Sequence, residues 1–195
     1  MSVLNELNTH YALDKSAIDF YQKNRYIKLK QVFSKEVLDH YGDSIDRAVD
    51  RLNKNTRPMG KRDTYGKAFL QLFNLWREDE QVKEFVFSKR LAKIASSLMK
   101  VEGVRMYHDQ ALYKEAHGGI TPWHADQYYW PLDNDRTITA WIPLQAVPKN
   151  MGPLEFSAGS HQIQEGRDLA ISDNSEERIE NRLRVTDFKH IIEPF

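Results

Sequence analysis

The chain has 195 residues, which is enough to bury a hydrophobic core and is typical of one domain. Its 28 basic and 28 acidic residues give a formal net charge of zero, so no positive field favours nucleic acid or an anionic membrane, and we expect a small-molecule partner. Because cysteine is absent, disulfides, thiolate nucleophiles and iron–sulfur clusters are excluded, and any metal must be bound by histidine and carboxylate. The sequence shows neither a secretory signal nor a membrane-spanning apolar run, which predicts a cytoplasmic protein.

The first half of the sequence, up to Gly103, has mostly helical periodicity. Three stretches repeat apolar residues every three to four positions. These stretches are residues 16–24, 34–53 and 78–100, and the last is expected to form two helices with Ser88 between them. Ser34 and Ser88 have the residue type and the position of helix N-caps. Residues 26–29 are typical of a short strand, whereas the polar residues 53–67 predict an exposed loop.

After Gly103 the period changes towards two, and the residue types are those that favour strands. The expected strands are residues 104–114, 121–130, 137–144 and 184–192. The polar residues 165–182 predict a long loop or a short helix, and such a segment often covers the mouth of a site. Helices followed by strands predict a single α+β domain, in which residues 1–103 give helical support to a β core at residues 104–195.

His124 and Asp126 are the first candidates for metal ligands. In a strand, residues i and i+2 point to the same face, so both side chains would project together while Ala125 turns away. With one further histidine they would complete the 2-His-1-carboxylate triad of non-haem Fe(II) oxygenases. The alternative is a buried hydrogen-bonded pair without a metal, because this short pattern is common in unrelated chains.

The residues around this pair carry a more specific pattern. The sequence at 121–127 is Thr-Pro-Trp-His-Ala-Asp-Gln, and it is followed by Tyr-Tyr-Trp-Pro-Leu at 128–132. Together with further ordered motifs it resembles the phytanoyl-CoA dioxygenase family of Fe(II)/2-oxoglutarate-dependent oxygenases. The other matching segments are residues 107–114, 118–120, 139–144, 150–154 and 159–161.

The resemblance implies a double-stranded β-helix, or jelly roll, that binds Fe(II), 2-oxoglutarate and dioxygen and hydroxylates a small organic substrate. It identifies His124 and Asp126 as iron ligands and places Gln110 and Trp141 at positions that contact 2-oxoglutarate in relatives. The alternative for Gln110 is a hydrogen bond to a backbone group, and for Trp141 it is a place in the core. Three further residues follow the ligands towards the expected substrate pocket. They are Gln127, Tyr128 and Tyr129.

The second histidine ligand of the family, and an arginine that pairs with 2-oxoglutarate, belong to late strands beyond the matching region. We therefore expect the C-terminal part of the jelly roll to be incomplete, which favours self-association through an uncovered sheet edge. His108, His161 and His190 are weak substitutes for the third ligand. The family does not use the positions of His108 and His161 as ligands, and His190 lies on what resembles the strand just before the missing segment. The alternatives are a non-catalytic relative that acts as a binding or interaction module, and a metal-free ligand-binding jelly roll.

Overall fold

The computed structural model of the chain describes residues 3–55 and 57–194. This part of the chain contains seven α-helices and four β-strands, separated by loops and short 3-10 turns. The helices are α1 Val3–Asn8, α2 Lys15–Asn24, α3 Lys35–Leu52, α4 Thr64–Ala68, α5 Glu80–Val86, α6 Lys89–Met99 and α7 Asp173–Arg184. The strands are β1 Leu70–Phe73, β2 Gln110–Tyr113, β3 Leu154–Ala158 and β4 Lys189–Glu193.

The N-terminal helices enclose the main hydrophobic core. Ser34 caps α3, where its side-chain oxygen accepts a hydrogen bond from the amide of Val37, and Ser88 caps α6 in the same way. The apolar stripe of α3 is buried, and Tyr41 in its middle is only 1% exposed. All three helical stretches predicted from the sequence are confirmed, the last as α5 and α6 with Ser88 between them.

The predicted exposed loop after α3 contains a short helix instead, α4. Asp63 caps it by accepting a hydrogen bond from the amide of Gly66 at 2.7 Å. The amide of Gly119 donates to the carbonyl of Lys67 at 2.9 Å, and a Cβ on Gly118 would lie 2.7 Å from the same carbonyl oxygen. α4 is therefore held against the segment that leads into the candidate site.

The strands β1 and β2 form an antiparallel pair in which Phe73 lies opposite Gln110. Leu70 and Leu72 pack against the helical core, so the alternation of the strand turns Gln71 and Phe73 to the opposite face. On that face Phe73 is 54% exposed. The sheet thus presents Gln71 and Gln110 away from the core.

The second sheet pairs β3 with β4, also antiparallel. Of the predicted strands, residues 104–114 contain β2 and residues 184–192 contain most of β4, whereas α7 includes Arg184. The predictions for residues 121–130 and 137–144 were wrong, because the described residues there form no ladder. An apolar alternating run favours an extended backbone, but a strand also needs a neighbour that completes its hydrogen bonds.

The predicted strand at residues 26–29 is also absent from the described secondary structure. The described residues combine helices with two two-stranded sheets and do not form a closed jelly roll. The mixed helix-and-strand fold that the sequence predicts is therefore present, with much smaller sheets than expected. No described helix is both long and apolar enough to cross a membrane.

The segment predicted as a long loop or short helix near residue 170 contains α7. Ser172 and Ser175 form a capping box at its N-terminus, and Ile179 is buried beneath it. Gly166 has a φ of +88°, and a Cβ at this position would lie 2.4 Å from Cδ1 of Ile179. The turn before α7 thus packs directly on the helix and fixes its position.

Candidate functional site

The structure brings the side chains of His124 and Asp126 together. Nε2 of His124 lies 3.3 Å from Oδ1 of Asp126. The backbone between them is extended, with Ala125 at φ −111° and ψ 118°, although a 3-10 turn rather than a strand begins at Asp126. The single extended residue keeps the i, i+2 relation that a strand would have provided.

The other ring nitrogen of His124 is also fixed. Nδ1 lies 2.7 Å from the carbonyl oxygen of Pro122, which can only accept, so Nδ1 carries the hydrogen. A hydrogen bond of this kind orients the ring and leaves Nε2 as the metal-binding atom in the neutral tautomer. The local geometry of the Pro122–His124 segment therefore suits a ligand histidine.

The surroundings of His124 raise the pKa of its ring above the ordinary value for histidine. Burial alone would lower the pKa of His124, but the hydrogen bonds to Asp126 and to the carbonyl of Pro122, with the charges of Asp126 and Glu176, raise it overall. A metal ion would replace the proton on Nε2 and would be attracted by the same carboxylates.

Helix α7 covers this segment from the other side. The carboxylate of Glu176 accepts a hydrogen bond from the amide of Trp123, directly before His124. The hydroxyl of Tyr129 accepts one from the amide of Ile171 at 2.8 Å, and the hydroxyl of Thr64 in α4 donates to Asp173 at 2.9 Å. These contacts place α7 and the turn before it beside the segment that carries the ligand pair. That this region covers the mouth of the site stays a prediction.

Gln110, one of the two residues expected to contact the co-substrate, lies in β2. Its Oε1 accepts a hydrogen bond from Nε2 of Gln71 at 2.6 Å across the sheet. Gln71 is also hydrogen-bonded to Tyr65, whose phenol is close enough to Asp126 to be influenced by its charge. Burial is the main cause of the raised pKa of Tyr65, while the hydrogen bond to Gln71 lowers it. A chain of polar contacts thus links Gln110 to the vicinity of Asp126.

The other expected site residues are placed less distinctively. Trp141 is partly buried and lies outside any strand. Gln127 donates from Nε2 to the carbonyl of Asn134 at 3.1 Å, which ties it to the following loop. Tyr128 and Tyr129 lie on the 3-10 turn, edge to face at 4.8 Å, and each is 44% exposed. The two tyrosines therefore follow the ligand pair along a turn, whereas the sequence predicts that they continue a strand.

The three candidates for the third ligand lie in different surroundings. The ring of His190 packs against Trp123, the residue before His124, with ring centroids 5.6 Å apart. His108 packs edge-on against Phe73, with ring centroids 5.5 Å apart. His190 lies 3.6 Å from a carboxylate oxygen of Glu155, and the buried Nδ1 of His161 has no hydrogen-bond partner among the described residues. Within residues 3–55 and 57–194, no three or more His, Asp or Glu residues are grouped so that they could hold a metal.

The distance between the two candidate ligand atoms is compatible with binding to one metal ion. Neighbouring ligands of an octahedral ion, with bond lengths of about 2.1 Å, lie about 3.0 Å apart, close to the observed 3.3 Å. His124 and Asp126 therefore fit two adjacent positions on one ion. A third protein ligand is not found among the described residues.

Sequence reasoning missed Glu176, Gln71 and Tyr65. The prediction that residues 165–182 cover a site mouth pointed to the region of Glu176 but not to the residue. Nothing local in the sequence marks Gln71 or Tyr65, because their importance arises from contacts across the sheet and from α4.

Comparison with known proteins gives a consistent result. The family model of phytanoyl-CoA dioxygenase matches residues 21–189. None of the curated proteins compared with the chain matches it. A similar solved structure is the non-heme alpha ketoglutarate dependent carbocyclase SnoK from nogalamycin biosynthesis, at 19% identity and a TM-score of 0.75. The match covers 93% of this chain and 71% of that chain. Since the family model spans most of the sequence, the chain belongs to the phytanoyl-CoA dioxygenase family.

Proposed function

We propose that the protein is an Fe(II)/2-oxoglutarate-dependent dioxygenase that hydroxylates a small organic substrate. The observation that carries the proposal is the pair His124 and Asp126, 3.3 Å apart, with Nδ1 of the histidine held by the carbonyl of Pro122. Membership of the family supports the same chemistry, as does the similarity of fold to an alpha ketoglutarate dependent enzyme. The two small sheets would then be parts of a jelly roll.

His124 and Asp126 would hold the iron, and Gln110 and Trp141 would contact 2-oxoglutarate. When bound, iron and 2-oxoglutarate with dioxygen supply the oxidising power for C–H hydroxylation, with succinate and carbon dioxide as co-products. The carbonyl of Pro122 keeps Nε2 of His124 directed at the metal position. Gln71 orients Gln110 through its 2.6 Å hydrogen bond.

The aromatic residues Tyr128 and Tyr129 lie next to the ligand pair and would wall the entrance for substrate. The bond from Ile171 holds the phenol of Tyr129, so this wall is partly ordered before substrate binds. Glu176 of α7 would fix the backbone before His124 through the amide of Trp123.

A second candidate function is a non-catalytic binding or interaction module on the same scaffold. It is favoured by one observation, the lack of a third metal ligand among the described residues. Two protein ligands bind a divalent ion weakly, since affinity depends on ligand number and geometry together. The two functions differ in whether the chain binds iron with 2-oxoglutarate.

The test is anaerobic titration of the chain with Fe(II) and 2-oxoglutarate, followed by visible absorption. We expect the weak metal-to-ligand charge-transfer band of the chelate, its loss in His124→Ala and its retention in His10→Ala, which removes an exposed histidine. Succinate formed in the presence of oxygen would establish turnover. Absence of both the band and succinate would favour the binding module, and iron affinity unchanged in His124→Ala would refute the ligand assignment.

A further inference from the structure

A cavity of about 240 Å³ lies away from the His124–Asp126 pair. It is formed where α2 and α6 end side by side and where residues 135–137 pass over them. Three basic side chains line it, and Asp135 is the only acidic one. The lining therefore has a net charge of +2. The basic residues are Arg25, Lys100 and Arg136.

Two of these basic residues stand at unusual backbone positions. Arg25 ends α2 with φ 60°, and Lys100 ends α6 with φ 56°. This left-handed conformation at a helix C-terminus favours glycine, because a side chain adds strain there. The chain instead has a long cation at each of two adjacent helix ends, and both line the same cavity.

The structural alternative is that the cations only complement the negative ends of the helix dipoles. That effect accounts for one charge at each helix end and does not depend on a shared cavity. It does not account for Arg136, which belongs to a loop and lies in no helix. Three cations converging from three separate elements indicate a common ligand.

Lys100 and Arg136 are available for such a ligand, whereas the side chain of Arg25 also hydrogen-bonds the phenol of Tyr21. Nζ of Lys100 lies 3.7 Å from Asp19, but both side chains are about half exposed, at 58% and 49%, and an exposed pair of this kind is weak. In the described part of the chain, the guanidinium of Arg136 takes part in no hydrogen bond or ion pair, since only its backbone amide is bonded. Thr137, also in the lining, adds a hydroxyl donor.

We propose that this cavity is a binding site for a phosphate group. A phosphate offers oxygen acceptors to all three cations and to the hydroxyl of Thr137, whereas a carboxylate has only two oxygens to share among them. One guanidinium group can donate two parallel hydrogen bonds to phosphate oxygens, and Arg25 and Arg136 provide two such groups. The volume is below the range of about 300 to 1,000 Å³ of drug-sized ligand pockets and suits a small anion.

The site has a physical connection to the candidate iron site. Asn134 precedes the lining residues, and its carbonyl accepts the hydrogen bond from Gln127, the residue after the ligand Asp126. Phosphate binding would thus order the loop that Gln127 contacts. The inference does not rest on iron binding, so it can fail or succeed independently of the proposed function.

The test is NMR titration of the metal-free protein, following backbone amides, with inorganic phosphate, methyl phosphate and acetate. We expect saturable shifts at the amides of Arg25, Lys100 and Arg136 with a phosphate compound, and much weaker ones with acetate. Tighter binding of methyl phosphate would identify a phosphorylated small molecule as the ligand. Tighter binding of inorganic phosphate would identify the free ion as the ligand. Equal response to acetate, or no saturation, overturns the proposal.

Variants separate a binding role from a structural one. Arg136→Gln should raise the Kd for phosphate about tenfold, as expected for loss of a charged hydrogen-bond donor, while the matched control Arg105→Gln, exposed and outside the lining, leaves it unchanged. Lys100→Gly keeps the left-handed helix end and should lower phosphate affinity while leaving the denaturation midpoint unchanged or higher. Phosphate affinity unchanged in both Arg136→Gln and Lys100→Gly would refute the site.

Discussion

Replacing Glu176 by alanine should loosen the segment that carries the ligand pair. Its carboxylate accepts the amide hydrogen of Trp123 in a partly buried position. A hydrogen bond to a charged group contributes about 1.5 to 3 kcal/mol, and partial exposure suggests the lower half of that range. A further 0.3 to 1 kcal/mol, approximately, comes from an acidic residue in the first turn of α7. The expected loss of unfolding free energy is about 2 to 3 kcal/mol.

The assay is urea denaturation of the metal-free protein, with Glu177→Ala as the control. Glu177 is exposed on the same helix, so its replacement should change stability by less than about 0.5 kcal/mol. A loss of about 2 to 3 kcal/mol corresponds to about 4 to 12 °C in Tm for a chain of this size. Glu176→Gln keeps an acceptor oxygen and should recover roughly half of the loss. If the two alanine variants unfold within 0.5 kcal/mol of each other, approximately, the hydrogen bond to Trp123 does not stabilise this segment.

Three other changes test separate parts of the structure. Burial, assisted by a neighbouring carboxylate, raises the pKa of Tyr41 to about 12. The protonated phenol therefore stabilises the fold fully below about pH 10, and this contribution is lost as the pH rises towards about 12. The stability of wild type relative to Tyr41→Phe should therefore fall by up to about 2.7 kcal/mol across this range in denaturation at each pH. Gln71→Leu should weaken 2-oxoglutarate binding several-fold through Gln110 without changing iron affinity, as measured by absorption titration, and unchanged co-substrate binding would contradict this. Gly166→Ala should lower the free energy of unfolding by more than about 2 kcal/mol in thermal denaturation, because its Cβ would lie 2.4 Å from a buried side chain. The control Gly60→Ala should unfold like wild type, because no atom lies within 4 Å of the added Cβ.

The helical half could be predicted from the sequence because its determinants are local. A serine at the N-cap and an apolar residue every three to four positions act within one or two turns, and Ser34 and Ser88 both cap helices where expected. The short helix α4 escaped prediction because Gly66 and the polar composition indicated a loop. Its cap depends on Asp63, a residue equally common in turns.

The strands could be predicted only in part, for a different reason. Residues 121–130 and 137–144 have the composition of strands, yet pairing depends on a partner elsewhere in the chain, and no local pattern specifies that partner. Residues 70–73 show the reverse case. Their local pattern predicts no element, but they pair with β2 and bury Leu70 and Leu72 against the core.

The candidate site also depends on both local and distant parts of the sequence. His124 and Asp126 meet at 3.3 Å without a strand, because one extended residue between them is sufficient to align the side chains. Glu176 is separated from Trp123 by 53 positions, so only the folded chain brings its carboxylate to that amide. The ligand pair is thus encoded within five residues, whereas the groups that orient and cover it depend on α4, β1 and α7. A substitution that breaks one of these contacts should therefore alter metal or co-substrate affinity without touching either ligand.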